Sequence, residues 1–496
     1  MPVRLSFLTN VVFGLLTIIV LLRFVASVCM ILVPEEAYYW MYAQHPSLSY
    51  YDHPPMIAWV IGLGTQFFGN NEFGVRSATQ LLMLASSALM YVYSRIWFSR
   101  EAALGAALLP QILPVYFGSG LIATMDGSLI FFWTLALWAF SLALKEQRAW
   151  GWYLGGIATG GAMLCKYTGL FLGLGVILAV LAYRPWRREL LRPHPYIAAV
   201  LALALFTPVL IWNAEHDWAS FRFQFVERYH GNGVGAAHVA LFAGFQLLVL
   251  TPVVFAGFAW LLFRTIGSTR RVFQARWLIA LCFCLPMLAV IAYKSLRYDI
   301  HLNWTLPLYL SVFPAIMQLG IAGWRRSRAR RAVLRWCRAA SITVVFCLLL
   351  DLAAMLYLLF AEPKLGRVAA LGPWPRLARE VQEIADRQQA QKACEYLIVG
   401  FDKNRLASVL AFYRTPLEKD VRASDFTTSQ WIIAGDGLAY PYWTEWEEEA
   451  VCDAIVVDDH KTDGLYLTQK SKLKPLEELH IRGKTYSISL YPLGRR

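Results

Sequence analysis

Residues Pro34 to Arg76 read PEEAYYWMYAQHPSLSYYDHPPMIAWVIGLGTQFFGNNEFGVR, and this stretch decides how the rest of the chain is organised. It lies between the first two long apolar runs and carries Glu35, Glu36, Asp52, His53 and the pair Pro54–Pro55 among many aromatic side chains. Charged groups and amphipathic rings held between two membrane spans point to a site at the membrane surface rather than an idle connector. Within it, MIAWVIGLGTQFFG is apolar but falls short of the roughly 20 residues that a crossing helix needs. It is expected to lie along the interface, a position that also suits Trp40, Tyr50, Tyr51 and Trp59.

Outward from this loop the chain is a polytopic membrane protein. Of its 496 residues, 58% are hydrophobic and only 16% charged, whereas soluble domains are about 25% charged. Apolar runs near 8–33, 74–95, 101–119, 121–144, 151–165, 168–183, 195–213, 238–263, 277–293, 303–321 and 339–361 predict about eleven spans. The fifth and sixth are short enough to be one bent span plus a re-entrant piece. The first run is too long for a signal-peptide core and lacks a small-residue cleavage site, so it is expected to be an anchor.

The net charge of +13 lies wholly in residues 1–362, because residues 363–496 hold 19 bases and 19 acids. The excess falls in alternate loops: Arg95 and Arg100; Lys145 and Arg148; Arg184 to Arg192; Arg264 to Arg276; and WRRSRARRAVLRWCR at 324–338. These loops belong in the cytoplasm by the positive-inside rule. The other loops, and the tail after an odd number of spans, then face outward. A basic face for nucleic acid is excluded by the same distribution.

The tail, residues 362–496, reads as a small α/β domain. A helix is expected from Trp374–Pro375 to about Ala393 and another over 404–414. Strands are expected at 396–401, 430–435, 454–457, 465–469 and 485–491. The domain division is therefore 1–361 for the transmembrane part, with loop 34–76 carrying interfacial helices, and 362–496 for the tail. Six of eight cysteines lie in or beside apolar runs, as small hydrophobes do. Cys394 and Cys452, in an outward tail, are of the right type to form a disulfide. No glycine-rich phosphate loop and no metal-ligand spacing is present, so no cofactor is assigned.

Several residues are of a type and in a place to carry chemistry. Glu35 and Glu36 leave the membrane together, where a general base reaches an acceptor hydroxyl; the alternative is a solvated helix end. Asp52 and His53 are stiffened by the prolines that follow, although Asp52 would also serve as a helix cap. Asp126, in GLIATMDGSLIFFW, is a lone carboxylate at the outward mouth of a span, costly there unless wet or paired; a helix N-cap is the alternative. Lys166, in GAMLCKYTGLFLG, is a cation at an outward turn, suited to a phosphate or simply snorkelling. Lys294 and Arg297 make KSLRYDIHLNW the most basic outward loop in a chain that keeps its bases inside; an anionic partner explains that exception, and ordinary charge pairing with Asp299 is the alternative. Arg222, Arg228 and His230 form a weaker basic group. Together these suit group transfer from a lipid phosphate to a hydroxyl-bearing acceptor.

PEEAYYWMYAQHPSLSYYDHPPMIAW resembles the first outer loop of GT-C glycosyltransferases of the family 39/83 type. These include bacterial protein O-mannosyltransferases and the lipid A aminoarabinose transferase. The likeness continues through FGVRSATQLL (73–82), TMDGSLIFFW (124–133), LCKYTG (164–169), HLNWTLPLYL (301–310) and RLASVLAFY (405–413). It implies an inverting enzyme that uses a polyprenyl-phosphate sugar, with Glu35, Glu36 and Asp126 catalytic. Asp52, His53, Tyr38, Lys166, Lys294 and Arg297 would bind substrate. Family loops usually begin Asp-Glu; here Glu35 replaces the Asp, which leaves open which of the two carboxylates acts. The acceptor implied is lipid A or another envelope glycolipid at the periplasmic face of a bacterial inner membrane. Protein O-glycosylation is the alternative within the class, and a lipid-linked-sugar transporter the alternative outside it.

Overall fold

The computed structural model describes residues 5–492, apart from 228–234, 267–273, 299, 327–329, 361–372, 393–394, 403, 415–425, 429–437, 444–450, 460–472 and 482–483. The chain forms two compact units. The first comprises Met1–Ser27, His53–Met56 and Ser77–Met355; the second comprises Val28–Asp52, Ile57–Arg76 and Leu356–Arg496. Most of the outer loop thus clusters with the tail.

The helices in chain order are α1 (Leu5–Cys29), α2 (Pro34–Gln44), α3 (Met56–Phe68), α4 (Glu72–Trp97), α5 (Arg100–Ile112), α6 (Pro114–Leu121), α7 (Met125–Lys145), α8 (Ala149–Cys165), α9 (Leu170–Ala182), α10 (His194–Glu215), α11 (Ala236–Ile266), α12 (Ala275–Lys294), α13 (Phe313–Arg326) and α14 (Arg330–Phe360), then α15 (Trp374–Lys392) and α16 (Arg405–Arg414). Each expected span coincides with a helix or a bent pair. Among the described residues, five are long and apolar enough to cross a membrane alone, in α1, α7, α10, α11 and α12. Three bent pairs raise the number to eight. Of the three remaining expected spans, α4 has 26 residues but is not among the helices apolar enough to cross, α8 has 17 residues, and the apolar part of α14 runs Ser341–Tyr357. The 64° bend between α5 and α6 arises because Leu113 is extended ahead of Pro114, which opens the second helix.

Inside the first unit, α8 and α10 meet along glycines. A Cβ on Gly156 would meet the Ala198 carbonyl oxygen at 2.2 Å, and one on Gly160 would meet Leu205 Cβ at 2.8 Å. Small residues let helices approach closely where lipid supplies no hydrophobic drive. Arg23 of α1 is buried and donates to the side chain of Gln111 on α5, the kind of pairing that a charge at membrane depth requires.

In the second unit α2 starts on Pro34, with Glu35 and Glu36 in its first turn, where acids complement the helix dipole. Gly69 ends the following helix in the left-handed region, φ +81°, where glycine carries no Cβ penalty. Asn71 then caps α4, accepting the Gly74 N–H on Oδ1 at 2.8 Å. The tail holds a five-stranded sheet of order β2-β1-β3-β5-β4, built from β1 (Glu395–Gly400), β2 (Phe426–Thr428), β3 (Val451–Asp458), β4 (Lys474–Ile481) and β5 (Lys484–Tyr491). β1 pairs in parallel with β2 and β3, and the rest is antiparallel. α16 supplies the crossover that the parallel β1–β2 pair needs. Leu397, Val399 and Phe401 pack on Ala454, Val456 and Tyr491 to form its core.

The expected strands at 396–401, 454–457 and 485–491 are present as β1, β3 and β5. Those at 430–435 and 465–469 lie outside the described residues, as do Cys394, the side chain of Cys452, Arg228 and His230. Neither β2 nor, at the other edge of the sheet, β4 was anticipated. The β4 sequence, KPLEELHI, is mostly exposed, as a charged edge strand is.

Candidate active site

The candidate residues fall into two groups, one in each unit. In the second unit the adjacent carboxylates of α2 take different roles. Glu36 is fully buried and ion-paired with Arg76. Arg76 Nε donates to Glu36 Oε1 at 2.7 Å and Nη2 to Oε2 at 2.5 Å, a two-pronged geometry that only a guanidinium provides. The Val33 N–H also donates to Glu36 Oε2, at 3.1 Å, closing half of a capping box. Glu35, one position earlier, is exposed.

Sixteen residues after Glu36, Asp52 is a buried carboxylate to which two tyrosines donate. Tyr38 donates to Asp52 Oδ1 at 2.9 Å, and Tyr42 donates to the same oxygen. The Tyr38 oxygen accepts the Ala439 N–H at 3.1 Å. Tyr50 donates to the Tyr42 carbonyl at 2.7 Å and stacks on the Tyr42 ring at 3.9 Å. Burial, followed by the charge of Asp52, pushes the Tyr38 and Tyr42 phenols well above their ordinary value of 10.0. The tail adds its own rings: Trp443 stacks on His45 at 4.9 Å, and Tyr442 stacks on Tyr51 at 5.8 Å.

In the first unit Asp126 is buried in the first turn of α7. Its Oδ1 accepts from Lys166 Nζ at 3.1 Å and its Oδ2 from Asn303 Nδ2 at 2.5 Å. Three separate elements meet here. Gly127 permits it on one side, since a Cβ there would meet Thr79 Cγ2 at 2.5 Å. Lys166 is extended between α8 and the single turn Tyr167–Gly169, and is nearly buried at 13% side-chain exposure. Asn303 lies on the short helix Leu302–Thr305. His53 is also buried in this unit. Lys294 is half-buried in the last turn of α12, and Arg297 is exposed three residues later. The Lys294 carbonyl accepts the N–H groups of Arg297 and Tyr298, each at 3.0 Å.

The structure thus joins Asp126 with Lys166, and Tyr38 with Asp52. It also brings in Arg76, Tyr42, Asn303 and the tail aromatics, to which the sequence alone gave no role. Their signal was present: Arg76 closes FGVR, Asn303 sits in HLNW, and YPYW at 440–443 is dense in aromatic residues. Among the described residues, no three His, Cys, Asp or Glu side chains gather as metal ligands.

Residues 52–212 match the family described as dolichyl-phosphate-mannose-protein mannosyltransferase. The lipid A galacturonosyltransferase RgtD of Rhizobium johnstonii is 28% identical over 282 residues, covering 56% of this chain and 58% of that one. The undecaprenyl phosphate-alpha-4-amino-4-deoxy-L-arabinose arabinosyl transferase of Pseudomonas aeruginosa is 29% identical over 342 residues, covering 65% and 59%. The chain therefore spans somewhat under three-fifths of the length of these relatives. The crystal structure of ArnT from Cupriavidus metallidurans in the apo state superposes with a TM-score of 0.66 at 17% identity, covering 97% of this chain and 98% of that one. Residues 52–212 are thus similar to that mannosyltransferase family, and the chain as a whole shares the fold of the ArnT structure.

Proposed function

We propose that this chain transfers a sugar from a polyprenyl-phosphate donor to lipid A or a related envelope glycolipid, at the periplasmic face of a bacterial inner membrane. Similarity to proteins named for lipid A and for undecaprenyl phosphate supports the substrate class. The observation that carries the catalytic part is the division of labour on α2. Glu36 is committed to Arg76, and Glu35 is exposed beside it.

Glu35 is the base in this reading. Its carboxylate takes the proton of the acceptor hydroxyl as that oxygen bonds to the anomeric carbon. The bond from that carbon to the phosphate oxygen breaks, and its electron pair leaves with the polyprenyl phosphate. Lys166, Lys294 and Arg297 neutralise the phosphate. Asp126 orients Lys166 and Asn303 for that task, while Tyr38, Asp52 and His53 bind substrate.

Glu35→Gln tests the base. Turnover is expected to fall by about two to four orders of magnitude at unchanged expression, and retained turnover removes Glu35 from the role. Mass spectrometry of envelope lipids from a deletion strain tests the acceptor. The matched family is described by protein mannosylation, which makes protein O-glycosylation the second reading. An unchanged lipid profile with altered periplasmic glycoproteins would establish it.

A further inference from the structure

We infer that Tyr413 is a positioning residue, through which the tail helix α16 sets where α2 begins and hence how Glu35 is presented. The inference rests on the reading of Glu35 as the base. The motif RLASVLAFY, at 405–413, has no other part in the chemistry. Its helix packs along α2, with the Phe412 ring edge-on to Trp40 at 5.2 Å.

The four residues before α2 belong to no helix or strand, yet each has a backbone group held by a side chain. Arg76 donates to the carbonyls of Met30 at 2.6 Å and Ile31 at 2.9 Å. The Leu32 N–H donates to the Tyr413 hydroxyl at 2.8 Å. The Val33 N–H donates to Glu36 at 3.1 Å. The Tyr413 hydroxyl gives its own proton to Glu72 Oε1, at 3.1 Å, one turn ahead of Arg76. Tyr413 thus ties the approach to α2 to the start of α4, and it is the tail's contribution to that set. Pro34 and the capping box are enough to start a helix. Pinning four successive residues suits a side chain that must be aimed, because a displacement of about 1 Å costs on the order of a hundredfold in rate.

The test uses the full chain in membranes with Tyr413→Phe, which keeps the ring and removes the hydroxyl. Tyr486→Phe is the control, since Tyr486 is a buried tyrosine of the tail sheet whose hydroxyl has no hydrogen-bond partner among the described residues. Hydrogen exchange is read at the amides of residues 32–37 other than Pro34, which has none. The transfer rate per chain is read while adding increasing amounts of the polyprenyl-phosphate lipid fraction from wild-type cells. Tyr413→Phe is expected to speed exchange at residues 32–37 and lower the maximal rate about tenfold or more. The donor concentration at half-maximal rate should stay unchanged, and Tyr486→Phe should match wild type in both measurements. The proposal is overturned by unchanged exchange, by a wild-type maximal rate, by a loss that appears only as weaker donor use, or by an equal loss in Tyr486→Phe. Glu35→Gln assayed alongside decides the base assignment by turnover; the exchange readout reports on Tyr413 whichever way that falls.

Discussion

Arg76 grips both oxygens of Glu36 with neither side chain exposed to solvent. Two adjacent glutamates therefore have different fates on one helix turn: Glu36 is consumed by structure and Glu35 is not.

Removing one member of a buried pair strands the other. Arg76→Ala is expected to destabilise the second unit by about 3–5 kcal/mol. Arg76→Met combined with Glu36→Leu should recover only part of that loss: the apolar pair carries no stranded charge, but it leaves the Met30 and Ile31 carbonyls and the Val33 N–H without these partners. Thermal unfolding in detergent checks both. A double variant no more stable than Arg76→Ala would show that the pair's geometry, not its neutralisation, holds the loop.

The Asp126 cluster gives an ordered series. Asp126→Asn leaves Lys166 nearly buried without its counter-ion, and transfer should fall about a hundredfold or more. Asn303→Ala removes one donor and should cost less. Initial rates at saturating donor check the order, and a wild-type rate in Asp126→Asn would separate the cluster from transfer.

Alkali should unfold the second unit. Burial is the largest cause that raises the phenols of Tyr38, Tyr42, Tyr50, Tyr413 and Tyr440 above 10.0. Above pH 10 the unfolded chain loses these protons while the folded chain keeps them, so stability falls as pH rises. Their contribution is fully present below pH 10. Melting temperatures between pH 8 and pH 12 test this: the fall should begin near pH 10 and be shallower in Tyr42→Phe, and a flat profile would contradict it.

Orientation is tested by a phosphatase fused after Arg496. Activity is expected only on the periplasmic side, and cytoplasmic activity would invert the reading of the loops.

The helical plan was legible because a membrane span announces itself: its length and apolar content are local properties of the chain. Helices were legible over 56–69, seen as α3, and in the tail, seen as α15 and α16. The edge strand β4 was not, because an edge exposed on most of its length has no strong alternation to display. Glu35, Glu36, Asp52 and Asp126 were singled out as carboxylates in costly places, and that is a sequence property too.

Which partner each carboxylate takes was not legible. Glu36 and Arg76 are 40 positions apart, Asp126 and Asn303 177, and Leu32 and Tyr413 381. The sequence by itself determined a multi-span membrane chain with an aromatic, acidic outer loop and an α/β tail, since hydrophobic run length, charge placement and short-range periodicity suffice for that. Only the tertiary structure decided that Glu36 is locked, that Lys166 answers to Asp126, and that the outer loop clusters with the tail. Hydrogen bonds and ion pairs depend on distances of about 3 Å, and no pattern along a chain specifies which remote side chain arrives within them.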